Sequence, residues 1–221
     1  MLTNSVPWNK TYSSDKRIWG DQPSELALYV YNYLKQSTRF KGQTDIFTLD
    51  MGCGYGRDAF FLANNLPCHI LGLDNSETAI EMARESIPKE IEKRVELLCY
   101  DFSHVSDKYD VILASGLYQF LLPEERAQLR ETVKRCLKYE GVFFLSTLSI
   151  RDPHHLGKGT PIEGDENSFT DGKYHHLCTR EELEKDFDFL KIYALFEREF
   201  NEPHAANSHQ HVYWMLMGSL K

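Results

Sequence analysis

The chain has 221 residues, of which 42% are hydrophobic and 26% charged, the balance of an ordinary folded protein rather than a disordered one. Lysine and arginine number 25 against 33 aspartates and glutamates, which gives a formal net charge of −8. Proteins that bind duplex nucleic acid need a basic footprint to displace counterions, and no basic cluster supplies one here. We therefore predict no nucleic-acid partner.

Neither a membrane segment nor a disulfide framework is predicted. No apolar run approaches the roughly 18–20 residues that cross a bilayer, and the first residues lack the apolar stretch of a secretory signal. The five cysteines are odd in number, widely spread and free of Cys-x-x-Cys pairs. Because this pattern is typical of reduced thiols, we expect a cytoplasmic protein without a membrane partner.

The predicted elements begin with an aromatic lead and a helix that starts at Pro23-Ser24. From residue 45, short apolar runs alternate with helical patterns, which is typical of an α/β protein with a doubly wound parallel sheet. The runs expected to be strands buried on both faces are 46–49, 70–73, 95–98, 111–114 and 142–145. The predicted helices between them are 58–64, 77–86 and 123–139, the last of which is expected to stop at a left-handed Gly141.

The alternation stops after the fifth predicted strand. Residues 150–178 form a polar stretch with four glycines, longer than a simple connection and typical of an active-site lid. Thr179-Arg-Glu-Glu182 is a capping box that opens a helix through residue 186, and strands at 190–200 and 211–217 follow, close enough to pair antiparallel. The predicted parts of a single domain, residues 1–221, are an N-terminal cap (1–44), a cofactor-binding core (45–149), a substrate lid (150–178), and a C-terminal helix and hairpin (179–221).

The most specific motif is the glycine-rich loop Asp50-Met-Gly-Cys-Gly-Tyr-Gly56, directly after the first predicted strand. Glycine at every second position allows sharp turns and lets a ligand approach the backbone amides. A dinucleotide fold would require its third glycine where Arg57 stands. The spacing therefore favours a nucleoside ligand without a pyrophosphate over NAD.

Acidic residues close the first three predicted strands, at Asp50, Asp74 and Asp101. Asp74 lies 18 residues past Gly56, where a carboxylate can accept hydrogen bonds from both hydroxyls of a ribose. Asp101 can accept from an exocyclic amine while Phe102 flanks the ring, and Asp50 can meet an ammonium group. One such acid could simply solvate a strand end, but three in register with the loop indicate a ligand site.

These motifs resemble those of the class I S-adenosylmethionine-dependent methyltransferases, and more narrowly the small-molecule enzymes of the tellurite-resistance and thiopurine type. The loop, Leu73-Asp74, Tyr100-Asp101-Phe102 and the fourth strand from Tyr109 to Phe120 carry the resemblance. It implies a Rossmann-like seven-stranded sheet in the order 3-2-1-4-5-7-6, with strand 7 antiparallel and helices on both sides. The implied donor-binding residues are Asp50, Gly52, Cys53, Gly54, Gly56, Arg57, Asp74, Asn75, Asp101, Phe102, Ser115, Tyr118 and Trp19.

The activity implied by the resemblance is methyl transfer from S-adenosylmethionine to a small-molecule N, O, S or chalcogen nucleophile, with S-adenosylhomocysteine as product. Because no recognition module is appended, the partner is expected to be a small molecule, and the protein a monomer or homodimer. Two alternatives stay open. One is an enzyme that uses S-adenosylmethionine for another reaction, such as cyclisation, and the other is a non-catalytic protein that binds it.

Seven of the nine histidines lie beyond residue 150, at positions 154, 155, 175, 176, 204, 209 and 211. Strand direction brings all of them to the ligand edge of the sheet, where His209 and His211 would share a face. They could form a polar lid, a general-base or acceptor-binding rim, or a metal site. Because no spacing matches a standard metal motif, the rim is favoured, with His176, His209 and His211 as candidate catalytic residues, and a metal stays possible.

Overall fold

The structure is a computed structural model that describes residues 5–14, 17–202 and 209–221. The α-helices of these ranges are α1 (Ser5–Ser14), α2 (Glu25–Gln36), α3 (Arg57–Asn65), α4 (Glu77–Ser86), α5 (Pro123–Cys136) and α6 (Arg180–Asp186). Short 3-10 helices occur at Glu92–Arg94, Phe102–His104 and Tyr118–Phe120. In these parts of the chain, no helix is both long and apolar enough to cross a membrane.

A seven-stranded sheet forms the centre of the fold. Its strands are β1 (Ile46–Met51), β2 (Cys68–Asp74), β3 (Val95–Cys99), β4 (Tyr109–Ser115), β5 (Leu137–Leu148), β9 (Leu190–Glu202) and β10 (His209–Leu220). They are ordered β3-β2-β1-β4-β5-β10-β9, with β10 antiparallel to both of its neighbours. The strand order expected from the resemblance, including the antiparallel seventh strand of this sheet, is therefore confirmed.

Apolar side chains cover both faces of the sheet, as the continuous apolar runs predict. One core contains residues of α2, α3 and α4, and the other contains residues of α5 and α6. Within β1, Ile46 belongs to the first core and Leu49 to the second, because successive strand residues point to opposite faces. Burial on both faces leaves the strand ends as the part of the sheet that can meet a ligand.

The predicted helix over residues 123–139 is wrong at its end. Helix α5 stops at Cys136, and Leu137 already pairs with Tyr109 as part of β5. Gly141 lies within that strand and does not have the left-handed φ expected of a helix stop. Burial of Leu137 in the core outweighs the helical propensity of the residues that follow.

The predicted polar lid contains a small antiparallel sheet of its own, with β6 (Thr160–Pro161), β7 (Ser168–Thr170) and β8 (Tyr174–His176). Arg126 of α5 anchors it, donating to the Tyr174 hydroxyl at 2.6 Å and to Asp165 at 3.1 Å. The Arg126 and Asp165 side chains are only 7% and 12% exposed, so this ion pair is largely screened from solvent. The lid is therefore joined to α5 by a buried polar contact.

Candidate functional site

The glycine loop between β1 and α3 lies at the carboxyl edge of the sheet. Gly52, Gly54 and Gly56 have φ values of +76°, +54° and +82°, in the left-handed region that residues with a Cβ rarely adopt. A Cβ on Gly56 would also lie 2.6 Å from the ring of Phe60. The amide of Gly52 donates to the Leu73 carbonyl at 2.8 Å, which holds the loop against β2. The alternate glycines are thus required by the backbone path.

Two of the acids predicted at strand ends are held by backbone amides beside this loop. Asp74 accepts hydrogen bonds from the amides of Gly54 at 2.9 Å and Ser76 at 2.8 Å. Burial raises the pKa of Asp74, and these two bonds oppose the increase. Asp101 accepts from the Ser103 amide at 2.8 Å and caps the short helix that follows it. Both carboxylates line a cavity of about 890 Å³, here named the large cavity.

Asp50 is the least satisfied acid of the large cavity. It is 1% exposed, and its Oδ2 atom has no hydrogen-bond partner among the residues that the structure describes. Burial, followed by the negative charges of Asp58 and Asp74, raises the pKa of Asp50 well above its ordinary value. A buried polar atom without a partner is costly, so this position fits a ligand that brings a cation or a hydrogen-bond donor.

The segment that carries Trp19 is held over the large cavity by residues of the glycine loop. The Tyr55 hydroxyl donates to the Gly20 carbonyl at 2.7 Å and accepts from the Trp19 amide at 3.1 Å. Arg57 donates to the Trp19 carbonyl at 2.6 Å. Arg57, predicted as a ligand-binding residue, therefore also positions the Trp19 segment at the large cavity. Tyr55 was missed, because nothing in its spacing distinguishes it from the other loop residues.

A second group missed by sequence reasoning joins three elements at the edge of the large cavity. The amide and hydroxyl of Ser24, which caps α2, donate to the two oxygens of Asp58 at 2.7 and 2.5 Å. The Ser115 hydroxyl at the end of β4 donates to the Ser24 hydroxyl at 3.0 Å. Ser115 was predicted from the resemblance, whereas its connection to Asp58 of α3 depends on folding.

The large cavity brings together most of the predicted donor-binding residues. Those lining it are Trp19, Asp50, Gly52, Cys53, Gly54, Arg57, Asp74, Asn75, Asp101, Phe102 and Ser115. Gly56 lies just outside as the N-cap of α3. Tyr118 points away into the core: it is fully buried, donates to Asp186 at 2.5 Å and accepts from Arg130 at 2.8 Å. The structure thus corrects the placement of Tyr118.

Comparisons with known proteins agree with this geometry. Residues 48–141 match the family described as "Methyltransferase domain". Residues 48–141 are therefore similar to a methyltransferase domain. A solved S-adenosylmethionine-dependent methyltransferase from Anabaena variabilis has a similar fold, with a TM-score of 0.72 at 16% identity over 100% of this chain and 96% of that one.

Two further proteins are similar to this chain. The Burkholderia thailandensis 1,6-didemethyltoxoflavin-N1-methyltransferase has a TM-score of 0.68 at 14% identity, covering 97% of this chain and 85% of that one. The Escherichia coli K12 cyclopropane-fatty-acyl-phospholipid synthase is 31% identical over 103 residues, which are 47% of this chain and 26% of the relative. The chain thus matches about a quarter of that relative's length.

A second cavity of about 500 Å³ adjoins the large cavity. The two share four lining residues, Trp19, Gln119, Phe120 and Tyr213. The imidazoles that line the second cavity, here named the histidine cavity, are His154, His155, His175 and His211. The lid, β10 and the region after β5 thus bring histidines from distant positions to one place, as strand direction predicts.

One fully buried carboxylate, Asp152, organises the histidine cavity. Its Oδ1 accepts from the amides of His154 and His155 at 3.0 and 2.8 Å, and its Oδ2 accepts from the Val212 amide at 2.9 Å. The Nδ1 atoms of His155 and His211 each lie 3.0 Å from this carboxylate. Burial opposes ionisation, but these hydrogen bonds outweigh it and lower the pKa of Asp152. The sequence analysis missed this residue.

Gln119 lies between the two cavities and lines both of them. It is 1% exposed, and its Nε2 lies 3.4 Å from the Tyr213 hydroxyl. Its Oε1 has no hydrogen-bond partner within the described ranges. A ligand group at the junction of the cavities would therefore find an acceptor there.

Of the two candidate catalytic histidines whose side chains the structure describes, His211 lines a cavity and His176 does not. His176 is 2% exposed and lines neither cavity, because its ring is held between Ser168 at 2.8 Å and Glu182 at 2.6 Å. Glu182 thus pairs with His176 rather than completing the predicted capping box, although the Thr179 hydroxyl does accept from the Glu182 amide. His204 and the side chain of His209 lie outside the described residues.

Proposed function

We propose that the protein is an S-adenosylmethionine-dependent methyltransferase that acts on a small-molecule acceptor. The observation that carries the proposal is Asp50, a buried acid with an oxygen that has no partner among the described residues, beside a loop of three left-handed glycines. The α-ammonium of the donor would supply the missing cation. Asp74 and Asp101, at neighbouring strand ends of the same cavity, suit the ribose hydroxyls and the adenine amine.

When bound, S-adenosylmethionine supplies an electrophilic methyl carbon on a positively charged sulfur. The chain's contribution is to hold and align the reactants and to exclude water, which a displacement reaction needs more than strong acid–base help. Tyr55 and Arg57 would hold the Trp19 segment closed over the donor. The rings of Trp8 and Phe120, 4.7 Å apart and both lining the large cavity, suit a cationic sulfonium.

The acceptor would occupy the histidine cavity and approach the methyl group past Gln119. The walls of the histidine cavity include residues of α1, the lid and β10. A cavity of about 500 Å³ suits a small molecule rather than a macromolecule. The similarity to the toxoflavin methyltransferase, whose structure contains its small-molecule substrate, supports this choice. His155 or His211, oriented by Asp152, would accept a proton from the acceptor where one must be removed.

The test has a binding arm and a turnover arm. Calorimetry should show that S-adenosylhomocysteine binds and that NAD does not, because Arg57 replaces the third glycine of a dinucleotide loop. The protein and S-adenosylmethionine should then be incubated with thiols, amines, phenols and chalcogen oxyanions in turn. Formation of S-adenosylhomocysteine that depends on one acceptor class supports the proposal. Binding of NAD and not of the adenosyl ligands would overturn it.

A second candidate is another S-adenosylmethionine-dependent reaction. It is favoured by the 31% identity with a cyclopropane-fatty-acyl-phospholipid synthase over 103 residues. The product distinguishes the two candidates: methyl transfer leaves the acceptor with an intact CH₃ group, which deuterated donor and mass spectrometry detect as a gain of three deuterons.

We also propose a reducing, cytoplasmic location. All five cysteines, Cys53, Cys68, Cys99, Cys136 and Cys178, are free thiols in the structure. Disulfides are rare where thiol reductants are abundant.

A further inference from the structure

The imidazoles of the histidine cavity are close enough to share one ligand. The His155 ring lies 4.9 Å from His154 and 5.0 Å from His175, measured between ring centroids. It lies 5.3 Å from His211, which in turn lies 5.3 Å from His154. Since metal–nitrogen bonds are about 2.0–2.1 Å long, two imidazoles bound to one ion place their centroids roughly 4.5–5.5 Å apart. The observed spacing falls in that range.

Asp152 holds two of these rings in the manner usual for metal-binding histidines. In such sites a carboxylate accepts the proton of one ring nitrogen and thereby directs the other nitrogen to the ion. Asp152 lies 3.0 Å from the Nδ1 atoms of both His155 and His211, so Nε2 is the nitrogen that would bind an ion. Its own oxygens already accept three backbone N–H bonds, so we assign it to orientation rather than to direct binding.

We propose that the histidine cavity binds one divalent transition-metal ion through His155 and His211, with His175 and His154 as further ligands. Imidazole is a good ligand for zinc, copper and nickel. The ion would lie beside the large cavity, where it could bind the nucleophilic atom of an acceptor and lower its pKa. That role rests on the proposed methyl transfer, whereas binding of the ion does not.

A second cluster of possible ligands, His176, Cys178 and Glu182, is less suited to an ion. Burial raises the pKa of the Cys178 thiol well above its ordinary value, which disfavours the thiolate that binds metals. None of the three residues lines either cavity, so an ion there would have no open position for a substrate.

Calorimetric titration with Zn²⁺ tests the site on the full chain, purified without a polyhistidine tag and treated with a chelator. We expect one Zn²⁺ per chain and an affinity at least 100-fold weaker in His155→Gln and in His211→Gln. His69→Gln is the matched control and should bind like the wild type, because His69 pairs with Asp45 at 2.8 Å at the opposite edge of the sheet. Absence of stoichiometric binding, or its loss in His176→Gln with His155→Gln unaffected, would overturn the site.

A spectroscopic measurement tests the site on the wild-type chain, without any substitution. Loaded with one equivalent of Cu²⁺, the wild-type chain should show nitrogen hyperfine splitting from at least two imidazoles in its electron paramagnetic resonance spectrum. Splitting from fewer nitrogens contradicts the site.

Titration with S-adenosylhomocysteine on the same preparations separates this proposal from the proposed function. Stoichiometric Zn²⁺ with no adenosyl binding supports the ion site and overturns methyl transfer. Adenosyl binding without Zn²⁺ overturns the ion site alone.

Discussion

Asp50 and Asp152 are both buried carboxylates beside adjoining cavities, yet they differ in their hydrogen bonding and in the direction of their pKa shifts. Asp152 accepts hydrogen bonds from three backbone amides and lies next to two imidazoles, and its pKa is lowered. Asp50 retains an oxygen without a partner among the described residues, and its pKa is raised by burial and neighbouring acids.

The difference shows how burial can serve two purposes. A satisfied carboxylate stabilises the fold and fixes the residues around it, whereas an unsatisfied one costs stability that a ligand can restore. The histidine cavity is thus organised before any ligand arrives. The large cavity instead contains a buried carboxylate oxygen, on Asp50, that has no partner among the described residues. A ligand that supplies the partner would gain binding energy from this contact.

Removal of Asp152 should have the largest effect on stability. Asp152→Ala leaves three amides and two imidazole nitrogens without their buried acceptor, so we expect the free energy of unfolding to fall by about 3–5 kcal/mol. Urea denaturation measures it. Asp171→Ala is the control, since Asp171 is exposed on the same lid and its loss should change stability by less than about 0.5 kcal/mol. A loss below about 1 kcal/mol for Asp152→Ala would contradict its organising role.

Removal of Asp74 should weaken ligand binding in the large cavity and leave ion binding in the histidine cavity unchanged. Each hydrogen bond to a charged group contributes about 1.5–3 kcal/mol, so losing a carboxylate that accepts two should weaken S-adenosylhomocysteine binding by about 100-fold or more in calorimetry. Zn²⁺ affinity should not change. Asp110→Ala is the matched control, because Asp110 is an acid that pairs with Lys138 at 2.8 Å at the far end of β4. Unaltered adenosyl affinity in folded Asp74→Ala would remove Asp74 from the site.

The large cavity is the more predictable of the two regions, for a physical reason. Its glycine loop and strand-end acids lie within one alternating stretch, where local spacing and parallel topology together determine which side chains meet. The histidine cavity was predicted only as a rim, because strand direction indicates the edge of a sheet but not the orientation of a side chain. Asp152 adjoins His154 in sequence, but its contact with His211 spans 59 positions and requires the complete sheet.

The incorrect predictions for Tyr118 and His176 also arise because sequence position does not determine where a side chain points. Tyr118 follows Ser115 on the expected cavity wall, yet a 3-10 turn directs its ring into the core toward Asp186. His176 lies next to His175 in β8, and alternation along a strand places the two on opposite faces. His175 therefore lines the histidine cavity, and His176 packs against α6.

Neutralising Asp50 should raise the stability of the fold and weaken ligand binding. In the folded state the pKa of Asp50 is raised, so the wild type is most stable below the unfolded-state pKa and loses stability as pH rises from there through the folded-state pKa. The Asp50→Asn variant does not lose stability in this way, because its amide does not ionise. It should therefore be about 1 kcal/mol more stable than the wild type near neutral pH, with the advantage vanishing toward pH 4.

The same variant should bind S-adenosylhomocysteine about tenfold more weakly, since the ammonium loses its counter-charge. Thermal melts across pH and calorimetry measure the two effects. Asp188→Asn, an exposed substitution, is the control for both. A variant that is less stable than the wild type and binds equally well would remove the contrast between Asp50 and Asp152.

The smallest expected effect marks the boundary of the large cavity. Tyr118→Phe removes a buried hydroxyl between Asp186 and Arg130 and should cost about 1 kcal/mol of stability, because those two partners keep their own ion pair at 3.0 Å. Adenosyl affinity should stay at the wild-type value. Tyr55→Phe is the matched comparison: it removes a hydroxyl that holds the Trp19 segment, so affinity should fall several-fold. Equal loss of affinity in both variants would show that Tyr118 contacts the donor after all.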